Sequence, residues 1–143
     1  MTDVLAARRR VPRPQNDPNL TYRPGSPERA ELKARLVAMA AERIDIPVII
    51  GGREIRTGNT ASVVMPHKHG HVLGTWHKAS ADHVRQAVDA ALEARREWAS
   101  WPFEDRAAVF LRAAELLTTT WRQTLNAATM LGQSKTAWQA EID

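Results

Sequence analysis

Residues 102–117, PFEDRAAVFLRAAELL, and residues 130–143, MLGQSKTAWQAEID, decide how this chain is read. Pro102 opens a helix, since its missing N–H falls in the first turn, where donors have no intrahelical acceptor. Glu104 and Asp105 follow where the helix dipole favours acids. Ala107, Phe110, Leu111, Ala114 and Leu117 recur at helical spacing and predict a buried side. Trp121, Leu125, Ala128 and Leu131 extend the pattern into a further helix that ends near Gly132, with Ser134 capping the next one. Ala137, Trp138 and Ile142 begin a last amphipathic stretch with no Gly, Asn or Pro to end it, so the sequence predicts a helix cut short.

Within the second stretch, GQSKT (132–136) brings Gly, Lys and Thr together as phosphate loops do. The spacing fails. A phosphate loop needs G-x-x-x-x-G-K-[ST] so that successive amides surround the anion, whereas Gly132 stands three residues before Lys135. The stretch is read as a helix boundary.

Upstream, Ser80 opens a helix in which Val84, Val88, Ala91 and Trp98 recur at helical spacing, widened by Ala87 and Ala94. Arg95, Arg96 and Glu97 lie late in it and read as a solvated face, because a helix C-terminus favours cations without any ligand. Before it, SVVM (62–65) and HVLGTW (71–76) form an extended pair joined across Pro66 to Gly70. His67, His69 and His71 share one face if that stretch is a continuous strand, which raises a metal site. Pro66 and Gly70 favour a turn, and no completing carboxylate or thiol is identifiable nearby, so no metal ligands are assigned. Val48–Ile50 turns through Gly51 and Gly52 into REIR as a hairpin. Ser26, Pro27 and Glu28 start a helix to about Arg43, with a capping hydroxyl at Ser26 and a stripe of Leu32, Leu36, Met39 and Ala40. Asp45 and Pro47 stop it.

Residues 1–24 differ from the rest. Five arginines, Arg8, Arg9, Arg10, Arg13 and Arg23, against Asp3 and Asp17 put +3 of the net +4 here. Pro12, Pro14, Pro18 and Pro24 favour an extended, helix-free arm that lies along a partner surface or stays mobile. AARRRVPRP is Arg-rich and acid-poor, as transit peptides are, yet lacks their Ser enrichment and apolar stripe. No aromatic residue interleaves the arginines to stack bases, so the arm is not read as a nucleic-acid contact. No run approaches the roughly 20 apolar residues of a membrane span. The absence of Cys excludes a disulfide framework and fits a reducing, cytoplasmic setting.

Taken in order, the Gly-Gly hairpin, the Pro-His-Lys-His-Gly turn, the Ala-rich helix, DRAAVFLRAAELL (105–117) and GQSKTAWQAEID (132–143) resemble the N-terminal end of the aldehyde dehydrogenase superfamily. HGH (69–71) and the last segment resemble its 1-pyrroline-5-carboxylate dehydrogenase branch most. The resemblance implies an α/β parent fold, of which this chain is mainly α-helical with short antiparallel β-hairpin strands. It implies residues 25–143 as the N-terminal part of an NAD-binding domain. It implies NAD, a Cys nucleophile and a Glu base in the parent, an aldehyde substrate, and an oligomer or association through exposed apolar helix faces. The chain has no Cys, and in such enzymes the thiolate attacks the aldehyde. No catalytic, cofactor-binding or metal residue is therefore assigned among these 143 residues, and the chain is expected to be inactive alone. The alternative is a freestanding helical binding or assembly module. Five Trp in a chain of this length suggest apolar surface meant for parts absent here.

Overall fold

The computed structural model describes residues 11–143; Arg8, Arg9, Arg10 and the rest of the arm's start lie outside the described residues. From residue 11 to 22 the chain is without regular structure, as the prolines require. Helix α1 (Pro27–Ala41) starts as expected on Pro27, but the Ser26 side chain makes no capping hydrogen bond. Three short strands follow, β1 (Ile44–Ile46), β2 (Val48–Ile50) and β3 (Arg53–Ile55), then the longer β4 (Thr60–Met65) and β5 (Lys68–His77). The rest is helical: α2 (Ala81–Ser100), α3 (Phe103–Thr118), α4 (Arg122–Gln133) and α5 (Ala137–Glu141). No helix among the described residues is long and apolar enough to cross a membrane.

β2 and β3 form the expected hairpin, with Gly51 and Gly52 both at positive φ in the turn. The other three strands make a separate sheet in the order β1-β5-β4. Two sequence expectations change here. β1, which the Asp45 and Pro47 signals concealed, pairs with β5 in parallel, Ile44 opposite Gly74, so the strands are not all antiparallel hairpins. Strand β5 begins at Lys68, placing Gly70 inside the strand and shortening the turn to Pro66 and His67. Gly74 is required by the parallel pairing: a Cβ there would collide with the Ile44 carbonyl oxygen.

The core is small and one-sided. Tyr22, Leu32 and Ala127 form one buried cluster; Met65, Leu73 and Leu131 form a second, and Leu36 and Met39 of α1 pack against both. Thus α1 and α4 lie together against the β4–β5 sheet, with Tyr22 of the arm sealing one end.

Helices α2 and α3 contribute no buried residue. Their apolar stripes exist with the predicted period but face outward: Val84 is 58% and Phe110 68% exposed, and Val88, Leu92, Leu111 and Leu117 are exposed too. The expected burial of the α3 side formed by Phe110, Leu111 and Leu117 is therefore not met among the described residues: Val11, Pro12 and Pro14 of the arm border a groove with Phe110 and Leu111 but leave both exposed. In α4 the buried face is Asn126, Ala127 and Leu131, while Trp121 and Leu125 are exposed. Trp98 at the end of α2 stacks obliquely on Trp101 (5.4 Å) and edge-on against Phe110 (6.3 Å), which fixes the α2–α3 corner.

Candidate functional site

The densest polar arrangement among the described residues surrounds the Glu141 carboxylate at the end of α5. Arg122 and Asn126 stand four apart on α4 and so share one face. Arg122 Nε donates to Glu141 Oε1 (3.1 Å), and its Nη2 pairs with the same oxygen. Asn126 Nδ2 donates to Glu141 Oε2 (2.8 Å) and to the Tyr22 hydroxyl oxygen (2.8 Å). The Tyr22 hydroxyl donates to Glu141 Oε2 (2.7 Å), and the Leu20 backbone N–H to Oε1 (2.7 Å). Arg122 also pairs with Asp17 and donates to the Pro18 carbonyl oxygen (2.7 Å). Residues 17–22 are thereby strapped across α4 and α5. The strap needs an unusual turn, since Tyr22 adopts φ 51°.

The Glu141 side chain is 1% exposed. Burial alone would raise its carboxyl, but the donors from Arg122, Leu20, Tyr22 and Asn126 more than reverse this and hold it at about 2. Burial, followed by the hydrogen bond and charge of Glu141, pushes the Tyr22 phenol up to about 12. Hydrogen bonding to Glu141 raises Arg122 as well. At neutral pH the three groups are thus fixed as carboxylate, phenol and guanidinium. Such a set neither gives nor takes a proton at neutral pH, so its chemistry is that of a clamp and not of general acid–base catalysis. A cleft of about 390 Å³, bordered by Asn19, Leu125 and Thr129, lies beside it.

The sequence reading did not single out Tyr22, Arg122, Asn126 or Glu141. The chain's one tyrosine and the i, i+4 pair of Arg122 with Asn126 were visible signals, but Glu141 lies 15 residues beyond Asn126 and across a helix boundary, and Tyr22 is 104 residues from Asn126.

The residues the sequence did single out are dispersed. His67 Nδ1 is 2.8 Å from Ser134 Oγ, and His71 Nε2 donates to the Ala40 carbonyl at the end of α1 (2.8 Å). The histidines thus tie the β4–β5 turn to the α4 end and α1, and no group of three metal-ligating side chains is found among the described residues. GQSKT is a helix junction, with a shift of one role. Gly132 lies inside α4, Ser134 takes the left-handed conformation (φ 58°) just past its end, and Thr136, not Ser134, caps α5 by accepting from Gln139 N–H. Lys135 pairs with Asp143. Dinucleotide pyrophosphates are commonly cradled by a glycine-rich strand-to-helix turn. The one described link from the sheet into a long helix, Lys78-Ala79-Ser80, has no glycine, and no described residue is assigned to NAD.

Residues 54–143 match the family model described as "Aldehyde dehydrogenase family". Over 96% of its length the chain is 47% identical to a Dictyostelium discoideum protein named delta-1-pyrroline-5-carboxylate dehydrogenase, mitochondrial, and over its whole length 46% identical to an Agaricus bisporus delta-1-pyrroline-5-carboxylate dehydrogenase. A crystal structure of the Mycobacterium tuberculosis delta-pyrroline-5-carboxylate dehydrogenase bound with NAD superposes on 97% of the chain with a TM-score of 0.92 at 48% identity. The chain spans about a quarter of the length of these relatives, 25%, 26% and 26% respectively.

Proposed function

Because the chain belongs to the aldehyde dehydrogenase family, we propose that it supplies a segment of an NAD-dependent L-glutamate γ-semialdehyde (1-pyrroline-5-carboxylate) dehydrogenase of proline catabolism, and that alone it oxidises no aldehyde. The observation that carries this reading is the identity of 46–47% sustained across nearly all of the chain with proteins bearing that one name. The absence of Cys supports the second half, since the thiolate that attacks the aldehyde in such enzymes is missing from the chain. In the complete enzyme NAD would take the hydride, and no residue described here is assigned to hold it. The contribution of this segment is architectural. The strap and clamp fix one end of the fold, while the outward faces of α2 and α3 offer apolar surface to the remaining three quarters of the enzyme and to its assembly. Cytoplasmic placement rests on composition alone, and the Dictyostelium relative is named as mitochondrial. Fractionation of cells decides between the two.

The test uses two proteins. The purified chain, given NAD and glutamate γ-semialdehyde, is expected to yield no NADH above a heat-killed control. A chimera joining it to the remaining part of the Mycobacterium enzyme is expected to oxidise glutamate γ-semialdehyde far better than acetaldehyde, because a site built for the substrate's carboxylate and ammonium leaves those partners unsatisfied with a bare aldehyde. NADH from the chain alone, or a folded chimera without that preference, would overturn the reading.

A further inference from the structure

Between the arm and α3 runs an apolar groove of about 400 Å³. Val11, Pro12 and Pro14 stand on one side of it, and Phe103, Arg106 and Phe110 on the other. Both phenylalanine rings remain largely exposed, so the arm borders the groove without filling it. Arg106 adds a second observation. Its Nε is buried and has no hydrogen-bond partner among the described residues, and a buried donor left unpaired costs free energy that an acceptor recovers. The interior of a helix cannot supply that acceptor, because its carbonyls already bond its own N–H groups. An extended segment has carbonyls to spare, and a change of Arg106 rotamer presents the N–H to one laid along the groove. The groove therefore suits an extended segment with apolar side chains.

The chain itself carries such a segment. Upstream of Val11 the sequence is MTDVLAARRR, in which Val4, Leu5, Ala6 and Ala7 form the one apolar run. The arginines that follow complement Glu104 and Asp105, which lie in the turn of α3 between Phe103 and Arg106. Delivery to its own groove is disfavoured. Val11 to Pro14 already occupy one side, so residues 4–7 would have to double back across Arg8, Arg9 and Arg10, a stretch with no Gly, Pro, Asn or Asp to make the turn and three cations at its tip. We propose that the groove receives the arm of a second copy of this chain, with Val4 and Leu5 against Phe103 and Phe110 and a backbone carbonyl accepting from Arg106 Nε, and that two copies exchange arms. The seven residues from Val4 to Val11 reach about 25 Å when extended, enough to cross to a neighbour. Asp17 and Tyr22 hold the base of each arm in its own clamp, so only the part upstream is exchanged. Exchange is reciprocal and closes at two copies, because the same segment and the same groove serve on both sides.

The experiment uses the 143-residue chain, whose lack of Cys lets a nitroxide on Thr2→Cys label the arm alone. Labelled chain without ¹⁵N, mixed with ¹⁵N chain without label, is expected to broaden the Ala107 and Phe110 amides and to leave Ala127 in the core unchanged. Labelled ¹⁵N chain diluted into an excess of plain chain is expected to lose that broadening, because its groove then holds an unlabelled arm. Leu5→Ser is expected to weaken self-association in sedimentation by about tenfold or more, the factor that burying one leucine side chain supplies. Its unfolding midpoint is expected to match the parent chain, since Leu5 lies upstream of the clamp. Broadening confined to the labelled molecule would put the arm in its own groove, and broadening in neither sample would leave the groove to the remaining three quarters of the enzyme. Either result, or self-association indifferent to Leu5→Ser, would overturn the exchange. None of these outcomes bears on aldehyde oxidation, which the chimera tests separately.

Discussion

Leu32 on α1 and Phe110 on α3 both sit on apolar stripes of helical period, yet Leu32 is buried at the centre of a cluster and Phe110 is among the most exposed apolar side chains of the molecule. The difference lies in what each helix meets. α1 lies against α4 and the β4–β5 sheet, and the strap closes over its start; α2 and α3 meet β2 and α4 only at their margins. Periodicity therefore names the face a helix is built to bury, and only tertiary neighbours decide whether it does so within one chain. The clamped half is specified by contacts inside these 143 residues. The α2–α3 half is specified by its own caps and corner, with its apolar area left for something else.

The clamp is where that contrast breaks most readily. Glu141→Ala leaves the Arg122 guanidinium, the Asn126 amide and the Leu20 N–H without their common acceptor, and breaking a buried pair in this way costs about 3–5 kcal/mol. Denaturant unfolding is expected to show that loss, and hydrogen exchange to show Leu20 and Tyr22 released while the Ser80 cap of α2 is untouched. Acid gives the same result without a substitution. A carboxyl held low in the folded state contributes stability that is complete above its unfolded value near 4.5 and is lost as pH falls toward about 2. Tyr22 works in the opposite sense: its contribution is complete below pH 10 and is lost as pH rises through about 12. A wild-type strap that detaches already at pH 5, or one that stays attached in Glu141→Ala, would dissolve the distinction between the two halves.

Gly74 tests the sheet beneath the clamp. Adding a methyl in Gly74→Ala forces the β1 backbone away from β5, an overpacking cost of about 2 kcal/mol. The denaturation midpoint is expected to drop, with exchange protection lost first in Ile44–Ile46. An unchanged midpoint would mean that the parallel pairing of β1 contributes nothing.

Much of this fold was legible in the sequence, and for identifiable reasons. The Pro27 start, the Gly51-Gly52 turn, the Ser80 cap and the Pro102 break are local devices whose residues carry their own geometry, and all four stand where they were read. Strand β1 was not legible, because three residues with Asp45 at their centre and Pro47 directly after them look like a helix stop, and Gly74, the partner of Ile44, lies 30 positions away. The Ser134 and Thr136 exchange of roles turned on one left-handed residue, which Gly132 seemed better suited to supply. The clamp was invisible for the strongest reason. Its energy resides in pairs such as Tyr22 with Glu141, separated by 119 residues, and no periodic or short-range signal encodes them.

The smallest expected effect is the most diagnostic for the outer half. Phe110→Ser removes a large ring that is two-thirds exposed and meets the Trp98 ring edge-on, so its effect on unfolding is expected to stay within about 0.5 kcal/mol, the ordinary range for surface positions. The same substitution deletes part of the apolar face that Phe103, Val109 and Phe110 present, and sedimentation is expected to show weaker self-association than in the parent chain. The two readouts separate the two views of the molecule. A chain whose α2–α3 surface awaits the rest of a dehydrogenase loses stickiness and keeps its stability. A freestanding module would instead melt sharply as a monomer and lose stability on Phe110→Ser by as much as Gly74→Ala does, because in that case the ring would already be covered within the chain.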